Sequence, residues 1–161
     1  MAPRILFVED KKCDVVALME RCGLCGWEVV QAVTFMEALA YLMDSRELFH
    51  LVVLDIMLAW GDNVPPYVHS NFNDDDAGVH LLEIMRQREP GLTVFQECFP
   101  IASIGTRHQE TPVIALTNRD GAEDRCWDLN VRSFFPKSCS HRTLFAEMQR
   151  IILEETQKTE K

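Results

Sequence analysis

At 161 residues, with 47% hydrophobic and 25% charged side chains, the chain is sized for one domain that can bury a proper core. A net charge of −9 excludes unaided binding to nucleic acid or to an anionic membrane, since either needs a basic surface. No apolar stretch is long enough to span a bilayer and the amino terminus has no long apolar signal core, so a cytosolic protein is expected.

The first apolar run, Ile5-Leu6-Phe7-Val8, ends on Glu9-Asp10 and predicts a strand over about 4–9. Val15, Val16, Leu18, Met19 and Cys22 recur at helical spacing, which predicts a helix from Lys12 to Leu24 ending at Gly23 and Gly26. Cys22 and Cys25 have metal-ligand spacing, but no second such pair accompanies them. They read as small apolar side chains at a helix end. Glu28 to Ala32 reads as a second strand. Thr34 and Glu37 form a capping-box signature that opens a helix to about Ser45.

Leu51-Val52-Val53-Leu54 is a third strand, buried on both faces, that stops on Asp55. A polar stretch with Pro65-Pro66 and the acidic run Asp74-Asp75-Asp76 follows, and then a helix from Ala77 to Arg88. The three acids read as a solvated tip. Residues 92–111 are too apolar for a disordered linker and are expected to pack, as a strand around Thr93-Val94-Phe95 or as a hairpin. Here Arg107 and His108 read as a surface turn. Pro112 to Leu116 is the fourth core strand and ends on Thr117. Asp120 is placed to cap a short helix to Leu129. Ser133 to Phe135 is the fifth strand and ends at Pro136-Lys137. Ser140 caps a last helix to about Glu155, with a frayed end over 156–161.

Five strands alternating with five helices predict a single α/β domain over 1–161, doubly wound around a parallel sheet. In such sheets ligands bind beyond the carboxyl ends of the strands. Three acids, a hydroxyl and an amine converge on that edge, a set suited to a divalent cation and a phosphoryl group.

These residues carry a resemblance to the receiver domains of bacterial response regulators. Val8-Glu9-Asp10 resembles the family's acidic pair, Leu54-Asp55 its phosphoacceptor, Ala115-Leu116-Thr117 its hydroxyl residue and Phe135-Pro136-Lys137 its lysine. The resemblance implies the flavodoxin-like strand order 2-1-3-4-5. It also implies Mg2+ (or Mn2+) held by Asp10, Asp55 and the Met57 carbonyl, with Glu9 acting through water. Lys137 would pair with Asp55 and then with the phosphoryl group, Thr117 would donate its hydroxyl, and Phe134 would be the switching aromatic. The implied partners are a histidine kinase or phosphotransfer protein and a downstream protein, with a homodimer left open. A stand-alone phosphoacceptor with at most weak self-phosphorylation and autophosphatase activity is therefore expected, and not an enzyme. The alternative is an interaction module that signals through its insertions without phosphorylation. A flavodoxin-like cofactor binder is disfavoured, because Glu9-Asp10-Lys11 stands where a glycine-rich phosphate loop would.

Two insertions, about 60–77 and 89–111, depart from the family pattern. The glycine expected soon after the acceptor is Gly78. Trp60, Tyr67 and Phe72 would close over the site as a lid, or the segment would be a mobile acidic loop. Ser138 replaces the proline that usually follows the lysine, which argues against a cis peptide there. Met57 and Arg119, two residues beyond the acceptor and the hydroxyl residue, offer no carboxamide or carboxylate to orient water. Slow autodephosphorylation is expected.

Overall fold

The computed structural model describes residues 2–159. Five parallel strands, β1 (Arg4–Val8), β2 (Glu28–Ala32), β3 (Leu51–Leu54), β4 (Val113–Leu116) and β5 (Ser133–Phe135), form one sheet in the order β2-β1-β3-β4-β5. Successive side chains of each strand point to opposite faces, so each strand serves two cores. Leu6, Val8, Val52, Leu54, Val113 and Ala115 face one side. Ile5, Phe7, Leu51, Val53, Ile114 and Leu116 face the other.

The second face is covered by α1 (Lys12–Leu24) and α8 (His141–Thr159), through Val15, Leu18, Cys22, Leu144, Phe145, Met148 and Ile151. The first is covered by α2 (Phe35–Met43), α4 (Ala77–Arg86) and α7 (Glu123–Asp128). At the start of α2 the Thr34 hydroxyl accepts from the Glu37 N–H at 3.1 Å, and the Glu37 carboxylate accepts from the Val33 N–H at 2.8 Å. Ser140 caps α8 by accepting from the Thr143 N–H. Asp120 caps nothing: α7 begins after Ala122, which makes no side-chain cap. The end expected to fray is helical through Thr159, where Lys158 pairs with Glu155. Residues 160–161 of that expectation lie outside the described residues.

The insertions are helical and packed. The first holds α3 (Pro66–Asn71) and a 3₁₀ turn, Asp74–Asp76; the second holds α5 (Gly91–Gln96) and α6 (Ala102–His108). No strand or hairpin forms in residues 92–111. Trp60, Val68, Phe95, Ile101 and Ile104 are buried and extend the core on the α2/α4 side. Trp60 meets Phe35 edge-on at 4.9 Å and stacks near Phe95 at 6.1 Å. Trp60 thus goes into the core, Tyr67 and Phe72 pack half-buried against it, and the three form no lid.

Arg107 and His108 do not form a surface turn. His108 is fully buried, and Arg107 reaches back to the end of α2. There its guanidinium donates to the carbonyls of Leu42, Met43, Asp44 and Glu47 at 2.6–3.0 Å. Carbonyls of a helix's last turn have no partner within the helix, and this long-range donor satisfies them.

Candidate functional site

Each acid reaches the site because a β1 or β3 ladder runs out beside it. Val8 pairs with Leu54, and the Asp55 N–H donates to the Val8 carbonyl at 2.9 Å. The next residues of the two strands therefore emerge side by side. Carboxylate oxygens of Glu9, Asp10 and Asp55 lie within 4.8 Å of one another, with Glu9 and Asp55 buried and Asp10 exposed. On the far side Leu116 pairs with Phe135, and the Thr117 N–H donates to the Phe135 carbonyl at 3.1 Å. Two residues later Lys137 turns in. Its Nζ lies 2.7 Å from Glu9 Oε2 and 2.8 Å from Asp55 Oδ2.

Gly78 sets how closely α4 approaches the acceptor. Its N–H donates to the Ile56 carbonyl at 3.0 Å, and a Cβ there would fall 2.3 Å from the Asp55 carbonyl oxygen. Only glycine fits, in spite of the long insertion before it.

The electrostatics follow from crowding. Burial raises the Glu9 carboxyl from 4.5 to about 7; the Lys137 ammonium opposes this rise and the neighbouring Asp10 adds to it. Burial raises Asp55 as well, against Lys137, the Thr117 hydroxyl and the Met57 N–H, which donates to Asp55 Oδ1 at 3.0 Å. Burial alone would lower the Lys137 ammonium, but Asp55 and Glu9 more than offset it and its pKa is raised. One ammonium facing three carboxyls leaves an excess of negative charge in a largely buried place. Such a donor set, all oxygen and under-neutralised, fits a hard dication such as Mg2+.

The structure brings together Glu9, Asp10, Asp55, Thr117 and Lys137, with Met57 contributing its N–H at the rim. Phe134 is half-buried on β5 and packs on the α2/α4 core. The only cis peptide among the described residues is Glu89–Pro90, so Lys137–Ser138 is trans. Cys22 is buried, with its thiol pushed up to about 12, while Cys25 is exposed.

Several contributors have no local signal in the sequence. Asn118 Oδ1 accepts from the Lys137 N–H at 3.0 Å and joins the loops after β4 and β5. Arg119 donates its N–H to Thr117 Oγ1, and its side chain to Asp76 Oδ1 at 3.2 Å. Asp76 also binds Arg125 at 2.9 Å, and Asp74 accepts from Trp60 Nε1 at 2.6 Å. Asp74 and Asp76 are therefore engaged, while Asp74 and Asp75 remain exposed to solvent as expected. Asp10, Met57, Trp60, His69 and Asp74 line a cleft of about 420 Å3 at the acceptor edge, one wall of which is the first insertion.

No family model and no curated protein sequence matches the chain. Solved structures do. A CheY-like response regulator receiver domain protein from Methanospirillum hungatei aligns over 98% of this chain and 99% of its own, with TM-score 0.65 and 19% identity. The chemotaxis response regulator CheY4 of Vibrio cholerae aligns over 94% and 99%, with TM-score 0.64 and 17% identity. The fold is that of a response-regulator receiver domain. A further receiver structure, the HemR receiver domain of Leptospira biflexa, is 26% identical over 93% of this chain and 94% of its own, with TM-score 0.61. Against this receiver fold, α1, α2, α4, α7 and α8 are the five helices expected between and after the strands, and α3, α5 and α6 belong to the insertions. Among the described residues no helix is long and apolar enough to cross a membrane.

Proposed function

We propose that the protein is a phosphoacceptor receiver in a two-component relay, with Asp55 taking a phosphoryl group from a histidine kinase or a phosphotransfer protein. The observation that carries this reading is the Lys137 ammonium within 2.8 Å of both Glu9 and Asp55, beside Asp10 and below Thr117. A carboxylate oxygen of Asp55 attacks phosphorus, the P–N bond of the donor phosphohistidine breaks, and its electron pair returns to the imidazole. Asp10, Asp55 and the Met57 carbonyl, with Glu9 through water, would hold Mg2+, which when bound neutralises negative charge on the carboxylates and the phosphoryl oxygens. Lys137 follows the charge from carboxylate to phosphoryl group. Thr117 moves its hydroxyl proton from the Asp55 carboxylate to a phosphoryl oxygen and draws its loop inward.

Switching this loop and the Phe134 rotamer from almost all off to almost all on takes about 5.5 kcal/mol of differential stabilisation. A few charge-assisted hydrogen bonds of about 1.5–3 kcal/mol each suffice. The product is a signal passed to another protein in the cytoplasm, with slow loss of the label.

Incubation with acetyl phosphate and Mg2+ followed by intact mass spectrometry tests the reading. A phosphoryl adduct is expected on the wild type and on Asp75→Asn, and none on Asp55→Asn. No adduct on the wild type at any Mg2+ concentration would favour the second reading, a phosphorylation-independent module. That reading draws support from the two insertions being folded onto the domain as ordered helices.

A further inference from the structure

One side chain of the first insertion reaches the loop that carries Thr117. Asp76, the last residue of the 3₁₀ turn, is only 13% exposed at its side chain and sets each carboxylate oxygen against a different arginine. Oδ1 accepts from Arg119 Nε at 3.2 Å, and Oδ2 accepts from Arg125 Nη1 at 2.9 Å. Arg125 Nη2 also stands 3.8 Å from Glu83 Oε1 on α4. Arg119 lies two residues beyond Thr117, and its N–H donates to Thr117 Oγ1 at 3.1 Å. The Thr117 hydroxyl in turn donates to the Asp55 carboxylate. An unbroken chain of contacts therefore runs from the acceptor through Thr117 and Arg119 to the insertion.

The two ends of this chain differ in freedom. Asp76 directly precedes α4, whose first turn is seated on the acceptor's own backbone: the Gly78 N–H donates to the Ile56 carbonyl at 3.0 Å, and no space is left there for a Cβ. Residues 117–122, by contrast, form neither helix nor strand, and Asn118, Asp120 and Gly121 are exposed. A stationary carboxylate that satisfies two arginines in one position of the loop loses at least one of them when the loop is displaced. A contact made in only one of two states biases the equilibrium toward that state.

We infer that Asp76 is a brake on the switch: the first insertion holds the Thr117 loop in its present position, and a phosphoryl group on Asp55 must break the Asp76–Arg119 contact to draw Thr117 in. This brake presupposes the phosphoacceptor reading above and adds the element that sets how readily the switch responds. Among the described residues, the Asp76 carboxylate hydrogen-bonds to the two arginines and not to Glu9, Asp10 or Asp55. It acts on the acceptor through Arg119 and Thr117.

The test is calorimetric titration of the full chain with beryllofluoride, a stable stand-in for a phosphoryl group on a carboxylate, at saturating MgCl2, with MgCl2 alone titrated separately. Asp76→Asn is expected to tighten beryllofluoride binding by about 3- to 10-fold, the worth of one or two half-exposed ion pairs, and to leave Mg2+ affinity unchanged. Arg119→Gln breaks the same contact from the loop side and should act in the same direction. Asp75→Asn removes the neighbouring exposed charge and should not. In a Thr117→Ala background, Asp76→Asn should have no effect. Beryllofluoride affinity unchanged or weakened in both Asp76→Asn and Arg119→Gln would overturn the brake. So would an equal gain in Asp75→Asn, an equal gain in Mg2+ affinity, or a gain that persists without Thr117; each leaves the phosphoacceptor reading standing. A wild type that binds no beryllofluoride at saturating Mg2+ would instead overturn that reading, and the brake with it.

Discussion

Replacing Glu9 by glutamine should stabilise the metal-free protein, and only at the upper end of its pH range. A carboxyl that titrates at about 7 in the folded chain and 4.5 in the unfolded one binds its proton more tightly when folded. Between those two values the folded state holds the extra proton, so this group's contribution falls as pH rises through the window. At about 1.4 kcal/mol per pKa unit, the loss above pH 7 is about 3 kcal/mol. The raised Asp55 carboxyl adds to the loss in the same direction, while the raised Lys137 ammonium acts only at far higher pH. Glutamine keeps the shape, cannot ionise and leaves the Lys137 ammonium facing two carboxyls, Asp10 and Asp55, in place of three. Its buried amide gives back about 1 kcal/mol, for a net gain of about 2 kcal/mol at pH 7.5. For a chain of this length that corresponds to a rise in Tm of about 4–8 °C. Urea melts in EDTA, followed by tryptophan fluorescence at pH 5.0 and 7.5, measure the difference between variant and wild type. Equal or lower stability of Glu9→Gln at pH 7.5, or a gain as large at pH 5.0, would refute the account of crowded carboxyls.

Mg2+ should raise the stability of the wild type at pH 7.5, by about 2.7 kcal/mol at 100 times its Kd, and that of Glu9→Gln by less, as thermal melts across a MgCl2 series will show. Gly78→Ala should cost about 1–3 kcal/mol, because its Cβ meets backbone at Asp55 and Ile56 that cannot swing aside, and should also blunt the Mg2+ response; denaturant midpoints test the first part and the MgCl2 series the second. Arg107→Ala should cost about 2–4 kcal/mol by orphaning the carbonyls at the end of α2, with amide exchange accelerating there and not at the acceptor edge. Asp76→Asn should free Arg119 and Arg125 and speed amide exchange over residues 117–125, at a stability cost of about 1 kcal/mol.

Much of this was legible in the residues. Strands buried on both faces appear as short apolar runs whatever surrounds them, and a run that ends on an acid, a hydroxyl or an amine places that group at the sheet's carboxyl edge. Parallel order then brought Glu9, Asp10, Asp55, Thr117 and Lys137 together. Residues 92–111 misled because helices of six and seven residues are too short to display a period, and Val94, Phe95 and Ile101 favour strands when judged by type. Arg107 gave no sign of its role because its acceptors lie about 60 positions earlier in the chain. Asp74 and Asp76 looked free because their partners, Trp60, His69, Arg119 and Arg125, are assembled only by the fold.

Arg86, at the last turn of α4, is buried and donates to five carbonyls, those of His108, Gln109, Thr111, Leu129 and Asn130. The other end of the same helix is seated on the Asp55 backbone through Gly78. A rod pinned at both ends can neither tilt nor slide. Arg86 also holds the far end of α7 through Leu129 and Asn130, so mechanical freedom on that side of the sheet passes to the segment leading into α7, fastened to the rod's near end by half-exposed arginines that water can replace.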